Sequence, residues 1–378
     1  FAGVVYLIKT TEKPKKRAPS KWIPVVQVFE LQPAAYQVVV TATGIVIPAR
    51  QITLRSRVSG QVVAVHPEFN AGGSLSKGTP MVTLDDADYR LALAQKENDA
   101  VNSEYALEVE QGRQAVAKRE WQLLGTEPDV ETSGAALALR EPHLKKARAD
   151  VEVARIQVQK AKLDLERTRI SAPFNALVIS RNVDIGSQVS PQDPLAELVG
   201  TDSYWIQVSV PVDRLDRITI PRDSREPGSP ATVHYARGQR LDGRVIRLLG
   251  DLEAEGRLAR VLVEVTDPLR RKARTAAGAP LLIGEYVRVD IHGENLADVM
   301  VIPRTALRDQ ETVWLLKPDM TLDIRKITPV WRDKETVVIH NALRSGDRII
   351  VSEVAAPVTG MQLRLAPERP LPAAKKIQ

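Results

Sequence analysis

Cysteine is absent from all 378 residues. That removes disulfides, zinc–thiolate sites, thiol nucleophiles and a lipid-bearing cysteine together. It does not fix the compartment, but it suits an oxidising one, where stray thiols are a hazard. Aromatic residues are scarce, at 4%, and charge of either sign is nearly balanced, with 53 basic against 47 acidic residues. With no basic stripe interleaved with aromatics, a nucleic-acid partner is not expected. The opening run FAGVVYLI is far short of the roughly 20 apolar residues that span a bilayer. Lys9, Lys13, Lys15, Lys16, Arg17 and Lys21 follow it, among Pro14 and Pro19. Residues 1–23 therefore read as the outer end of a signal or membrane anchor plus a basic linker.

Catalytic signatures are missing too. His66, His143, His234, His292 and His340 lie far apart in sequence, with no HExxH spacing, and no GxSxG or phosphate-binding loop occurs. Gly72-Gly73 with Lys77-Gly78 has the wrong spacing for a phosphate loop, and no helix follows it. Ordinary packing or surface roles suit the histidines. No enzyme, no metal site and no cofactor is expected.

What the chain does have is a long helical pattern over 85–169, interrupted near Gly125 to Gly134. In the second arm Leu137, Leu144, Val151, Val158 and Leu165 fall seven apart, and Arg140, Ala147, Ala154, Ala161 and Thr168 interleave. That is an a/d heptad seam. In the first arm Ala87, Leu91, Ala94, Asn98, Val101, Tyr105, Val109, Gly112, Val116 and Leu123 give a 4-3 rhythm with an extra four-residue step after Tyr105, a stutter. The two seams predict an antiparallel coiled-coil hairpin, each arm about 60 Å long at 1.5 Å per residue. Asp85, Asp86 and Asp88 suit the positive end of the first helix. Val153, Ile156 and Leu163 lie off the seam with Lys160 in the same row, a second apolar face fit for a neighbouring protomer or the hairpin's own flank.

Two stretches flank the hairpin as copies of one unit, residues 57–85 and 171–198. At an offset of 114, Gly72 meets Gly186, Leu75 Val189, Pro80 Pro194 and Leu84 Leu198; at 116, Val62 meets Val178. A split repeat implies two half-motifs folded against each other. From 205 onwards the period changes to two, in WIQVSVPV, RVLVEV and YVRVDI, as in a small barrel. A short helical piece is expected at Asp213 to Ile218, and residues 269–280 read as a basic solvated loop. Strand patterns resume from Val299, and the tail from 366 is Pro-rich and basic.

Paired half-motifs, an inserted coiled coil and later strand-rich segments resemble the periplasmic adaptor subunits, or membrane fusion proteins, of tripartite export pumps, over about residues 25 to 365. The half-motifs resemble the biotinyl-lipoyl fold, with Asn175-Ala176 where an Asp-Gly turn is usual. The hairpin replaces the turn that would carry a modified lysine, so swinging-arm chemistry is not expected. The resemblance implies an α+β chain, mainly β with a long antiparallel helical hairpin, elongated and modular. Its parts would be a membrane-proximal domain (24–46 with 298–365), a β-barrel (47–55 with 202–297), a lipoyl-like sandwich (56–84 with 170–201), the hairpin (85–169) and a flexible tail (366–378).

The resemblance also implies partners. Arg119, Leu123, Leu124, Gly125 and Thr126 resemble the motif by which adaptors of RND-type pumps meet an outer-membrane channel: arginine, leucine four residues later, serine seven after that. Val130 stands at the serine position, with Asp129, Thr132 and Ser133 close by. Intramolecular roles, with Leu123 closing the seam and Arg119 lying over it, are the alternative. The expected activity is a bridge between an inner-membrane transporter and a TolC-type channel. Adaptor protomers would form a ring, commonly six in the family, and the N-terminal segment would hold the protein to the inner membrane. An RND transporter is favoured over an ABC exporter by the LLGT tip; a biotin- or lipoyl-carrier component and a coiled-coil scaffold remain as rivals.

Overall fold

The computed structural model describes residues 23–123, 133–223, 225–252, 256, 258–271 and 278–366. The fold is mainly β with a helical hairpin, and the chain divides into two compact units. One comprises Thr41–Asp213 and Ile220–Asp290, the other Phe1–Val40, Arg214–Thr219 and Ile291–Gln378.

In the first of these, the split repeat closes into a sandwich of two four-stranded sheets. One orders Gln188–Val189, Gly60–Val65, Pro80–Leu84 and Arg169–Ser171; the other orders Gln51–Arg55, Pro194–Gly200, Ala176–Arg181 and Ser74–Leu75. Each sheet mixes strands from both halves, and the halves are stitched by reciprocal backbone bonds. Gly72 N–H donates to Val178 O and Gly186 N–H to Val62 O, both at 2.8 Å. Val62 N–H donates to Ser187 O and Val178 N–H to Gly73 O, both at 2.9 Å. Gly72 and Gly186 both hold the left-handed conformation, φ 83 and 88, that a side chain disfavours. The two sequence offsets are thus both structural. The change from 116 to 114 falls within residues 67–69, where the first half inserts Phe69, fully buried in the sandwich core. Val62, Val178, Leu75, Val189, Leu84 and Leu198 fill that core as matched pairs.

The same unit holds a closed six-stranded barrel. Pro230–Tyr235, Gln239–Leu252, Leu258–Thr266, Ser203–Pro211, residues 41–48 and residues 286–290 follow one another around it, and the last pairs back to the first. Alternation decides which side chains face inward: Tyr204, Ile206, Val208 and Val210 are buried along one strand, Val261, Val263 and Val265 along its neighbour. Across the closing strands His234 Nε2 lies 2.8 Å from Asp290 Oδ2, and the Thr41 hydroxyl donates to Asp290 Oδ1 at 2.8 Å.

The other unit packs Val28–Glu30 against Arg348–Ile350, pairs Val25–Val26 with Arg364–Leu365, and pairs residues 300–303 with Thr336–Ile339. Its cores gather Leu31, Ile302, Val313 and Ile349, and Val26, Leu316, Leu322 and Ile350.

Several expectations need correcting. Residues 51–55, assigned to the barrel, pair with Pro194–Gly200 in the sandwich, because their apolar Ile52 and Leu54 pack on the sandwich core. The units divide after Val40 and after Asp290, within the long strands Pro33–Pro48 and Tyr286–Pro303, rather than after 46 and 297. The helical piece near 213 is a 3-10 helix, Val212–Arg217. Half of the basic loop, residues 272–277, the N-terminal segment 1–22 and the tail from 367 lie outside the described residues. Among the described residues no helix is long and apolar enough to cross a membrane.

Candidate functional site

The hairpin begins where Asp85 Oδ1 accepts the N–H of Ala87 at 3.1 Å and Asp86 pairs with Arg90 at 2.7 Å. The acidic run therefore caps the helix, as carboxylates at the positive end of the dipole should. Helix α1, Ala87–Leu123, runs 37 residues, about 55 Å. Helix α2, Ser133–Ala138, is a short distal piece, and α3, Glu141–Glu166, returns to the sandwich. There Thr168, fully buried, caps the helix by donating its hydroxyl to Leu165 O at 2.7 Å.

On α3 the expected seam faces α1. Leu144, Val151 and Ala154 are buried, and Ala147, Val158, Ala161 and Leu165 are half-buried. The first-arm expectation is overturned. Leu91, Val101 and Tyr105 are exposed, Tyr105 to 69%, and so are Ala87, Ala94, Asn98, Gly112 and Val116. The inward stripe is two residues out of step over its first half: Leu93, Lys96, Ala100, Ser103, Leu107, Glu110, Gln114, Ala117 and Trp121, with Tyr89 at its root packed on the sandwich core. It keeps an unbroken 4-3 rhythm, so no stutter exists. The inward stripe mixes Leu93, Leu107 and Trp121 with small or polar residues, Lys96, Ala100, Ser103, Glu110, Gln114 and Ala117. Leu137 is exposed as well, because the second arm is not one helix.

The break lies at Arg140, which holds the left-handed conformation, φ 58 and ψ 22. Its side chain crosses the hairpin: Nε donates to Glu110 Oε1 at 2.7 Å and Nη2 to Glu110 Oε2 at 2.9 Å. Glu110 is the one buried residue of α1, 8% exposed. Its carboxyl is held below the usual carboxylate range, first by the hydrogen bond from Arg140, against the opposing effect of burial, and then by the charges of Arg140, His143 and Arg113. Arg155–Glu104 at 2.9 Å and Lys162–Glu97 at 3.8 Å span the arms nearer the sandwich.

At the distal end of α1, Arg119 is exposed and Leu123 is 87% exposed, while Trp121 turns inward. Among the described residues the seam's last position on α1 is Trp121, and Leu123 takes no part in it. Leu124, Gly125 and Thr126 lie outside the described residues. On the return helix Val153, Ile156 and Leu163 are exposed, Ile156 to 59%. The hairpin therefore carries two outward apolar stripes, one per helix, and a free leucine at the end of α1.

Residue patterns did not single out Glu110 or the inward aromatic Trp121. The available signal was a charge, Arg140, standing in a seam position with Pro142 just after it, which marks a helix start rather than a helix interior.

Residues 298–356 match the family described as RND MFPs, C-terminal permuted SH3 domain. Over 327 residues the chain is 26% identical to the Multidrug resistance protein MdtA of Cronobacter turicensis, covering 83% of this chain and 73% of that protein. The MdtA of Escherichia coli strain K12 is 24% identical over 337 residues, covering 86% and 76%. Among solved structures, MacA from Actinobacillus actinomycetemcomitans superposes with a TM-score of 0.54 at 14% identity, covering 86% of this chain and 99% of that one. A MacA–MexA chimera carrying the Pseudomonas aeruginosa MexA hairpin also gives 0.54, at 16% identity, covering 86% of this chain and all of that one. These two likenesses concern the fold.

Proposed function

We propose that the chain is a periplasmic adaptor of the membrane fusion protein family of RND-type efflux pumps, not an enzyme, and that it joins an inner-membrane RND transporter to a TolC-type outer-membrane channel; the match of residues 298–356 and the MdtA relatives support this. Arg119 and Leu123, with the adjoining Leu124, Gly125 and Thr126, form the channel-docking tip. The cargo is of the multidrug kind that the MdtA relatives are named for. Copies stand side by side in a ring of six, Val153, Ile156 and Leu163 on one flank meeting Leu91, Val101 and Tyr105 on the next. The N-terminal segment anchors the protein to the inner membrane.

One observation carries this reading: a helix about 55 Å long leaves Leu91, Val101, Tyr105 and Val116 exposed along its outer side and ends on an almost fully exposed leucine. Solvated apolar stripes at heptad spacing are stabilised when another helix covers them. The two outward stripes sit on different helices of the hairpin, so a flank-to-flank contact joins unlike surfaces. Repeated by rotation, such a contact closes a ring.

The test is export from cells that rely on this protein. Leu123→Asp leaves the fold and membrane association intact and abolishes drug tolerance. Normal tolerance in that variant would remove tip docking from the account.

A further inference from the structure

The Glu110–Arg140 pair is placed where a coiled coil would ordinarily carry apolar side chains, and its partners come from opposite sides of a helix break. Arg140 is the joint itself. Its N–H donates to Leu137 O at 3.0 Å, closing α2, and its carbonyl accepts the N–H of Leu144 at 3.0 Å, opening α3. Pro142 cannot donate a backbone bond, so α3 cannot simply wind back through this point into α2. A break is therefore written into the sequence, but nothing in the backbone alone fixes the angle at which the chain leaves it. The left-handed conformation of Arg140 is disfavoured for any residue with a Cβ, and it persists only where surrounding contacts hold it.

The contact that holds it is two-pronged. A planar guanidinium bound through two parallel bonds to one carboxylate fixes orientation as well as distance. Glu110 has in turn been buried in the seam, a costly place for a carboxylate unless it is paired. Among the described residues α1 and α3 pack along their length, while α2 makes little backbone-level contact with α1. Among the described residues no hydrogen bond links the arms nearer the tip. Groups facing Glu110 are Arg140 at the joint, His143 in the first turn of α3 and Arg113 on α1, whose Nη1 is 3.8 Å from Oε2.

We propose that Glu110 and Arg140 are a positioning pair that locks the helix break and so aims the distal parts of the hairpin, residues 111–123 and 134–139, at the docking partner. The lock is a property of the isolated hairpin; only its use in aiming rests on the docking reading above.

The absence of cysteine makes a direct test simple. In the purified full chain, nitroxide labels at Lys118 and Leu137 report the distal arms, and labels at Asn102 and Glu152 report the seam below the pair. The distal distance distribution is narrow in the parent and broadens in Glu110→Gln, which is close in shape, while the lower pair is unchanged. Arg140→Gly, which keeps the backbone conformation accessible without the side chain, gives the same distal broadening. The exchange Glu110→Arg with Arg140→Glu restores at least part of the narrowing. In cells, Glu110→Gln lowers drug tolerance severalfold at unchanged protein level. A distal distribution as narrow in Glu110→Gln as in the parent overturns the proposal, and so does equal broadening at both levels, which would make the pair general seam adhesive. If the distal arms loosen in Glu110→Gln while Leu123→Asp leaves tolerance normal, the lock stands and the docking reading falls.

Discussion

At the scale of single residues, two side chains sit where their chemistry is least comfortable. Glu110 is one. Because its carboxyl titrates below the ordinary range in the folded chain, the stability it contributes is present above the unfolded pKa and is lost as pH falls through the folded one. The difference in melting temperature between the parent and Glu110→Gln is therefore largest near neutrality and shrinks in acid, below about pH 4. A gap that stays constant with pH would mean that the ion pair is not its source. Gln192 is the other. The repeat matches it to Gly78, and the match is structural: Gly78 N–H donates to Ala172 O and Gln192 N–H to Ser56 O, each at 2.8 Å. Both residues are left-handed, φ 84 and 76, yet only one is a glycine. Gln192→Gly should stabilise the sandwich by up to about 1 kcal/mol, relief of backbone strain outweighing the extra freedom of the unfolded chain, as read by chemical denaturation.

At the scale of elements, the hairpin separates what a hydrophobic pattern reveals from what it conceals. Two residues along a helix are about 200° of rotation, so stripes two positions apart lie on nearly opposite faces. On α3 the seam stripe and the outward stripe were both legible, because alanine and branched residues recur at seven and Val153, Ile156 and Leu163 stand apart from them. On α1 the more apolar stripe was the outward one, and its periodicity carried no sign of which face it occupied. Lys96, Ser103, Glu110 and Gln114 hid the true seam by being polar. The sandwich was legible for a different reason: its glycine turns repeat at fixed spacing, and the same turns make the reciprocal bonds between halves. The break at Arg140 was marked only by a charge in a seam position and by Pro142 just after it, and neither reveals the left-handed backbone that makes the break. Substitutions distinguish the two kinds of stripe. Leu144→Ala, on the seam, should cost about 2–3 kcal/mol, whereas Val101→Glu and Ile156→Glu should each alter the stability of the isolated protein by about 0.5 kcal/mol or less. The outward pair should nevertheless lose export. A large fall in melting temperature from Val101→Glu would place that residue in the seam after all.

At the scale of the whole molecule, function belongs to surfaces that the chain leaves uncovered. The sandwich and barrel have filled cores and matched strand registers; the hairpin has one satisfied face and two that are not. A cytoplasmic scaffold or a cofactor carrier gives no account of an exposed leucine at the end of a helix about 55 Å long, whereas a bridge between two membranes does. The measurement that bears on this most directly is in-cell cross-linking from a single cysteine placed at Leu123 in the otherwise cysteine-free chain, with Val101→Cys and Ile156→Cys alongside it. The account predicts that the Leu123 position cross-links to an outer-membrane channel and that Val101 and Ile156 cross-link to each other between copies of the adaptor. Cross-links from Leu123 only to its own chain, with Val101 and Ile156 unreactive towards other copies, would contradict it.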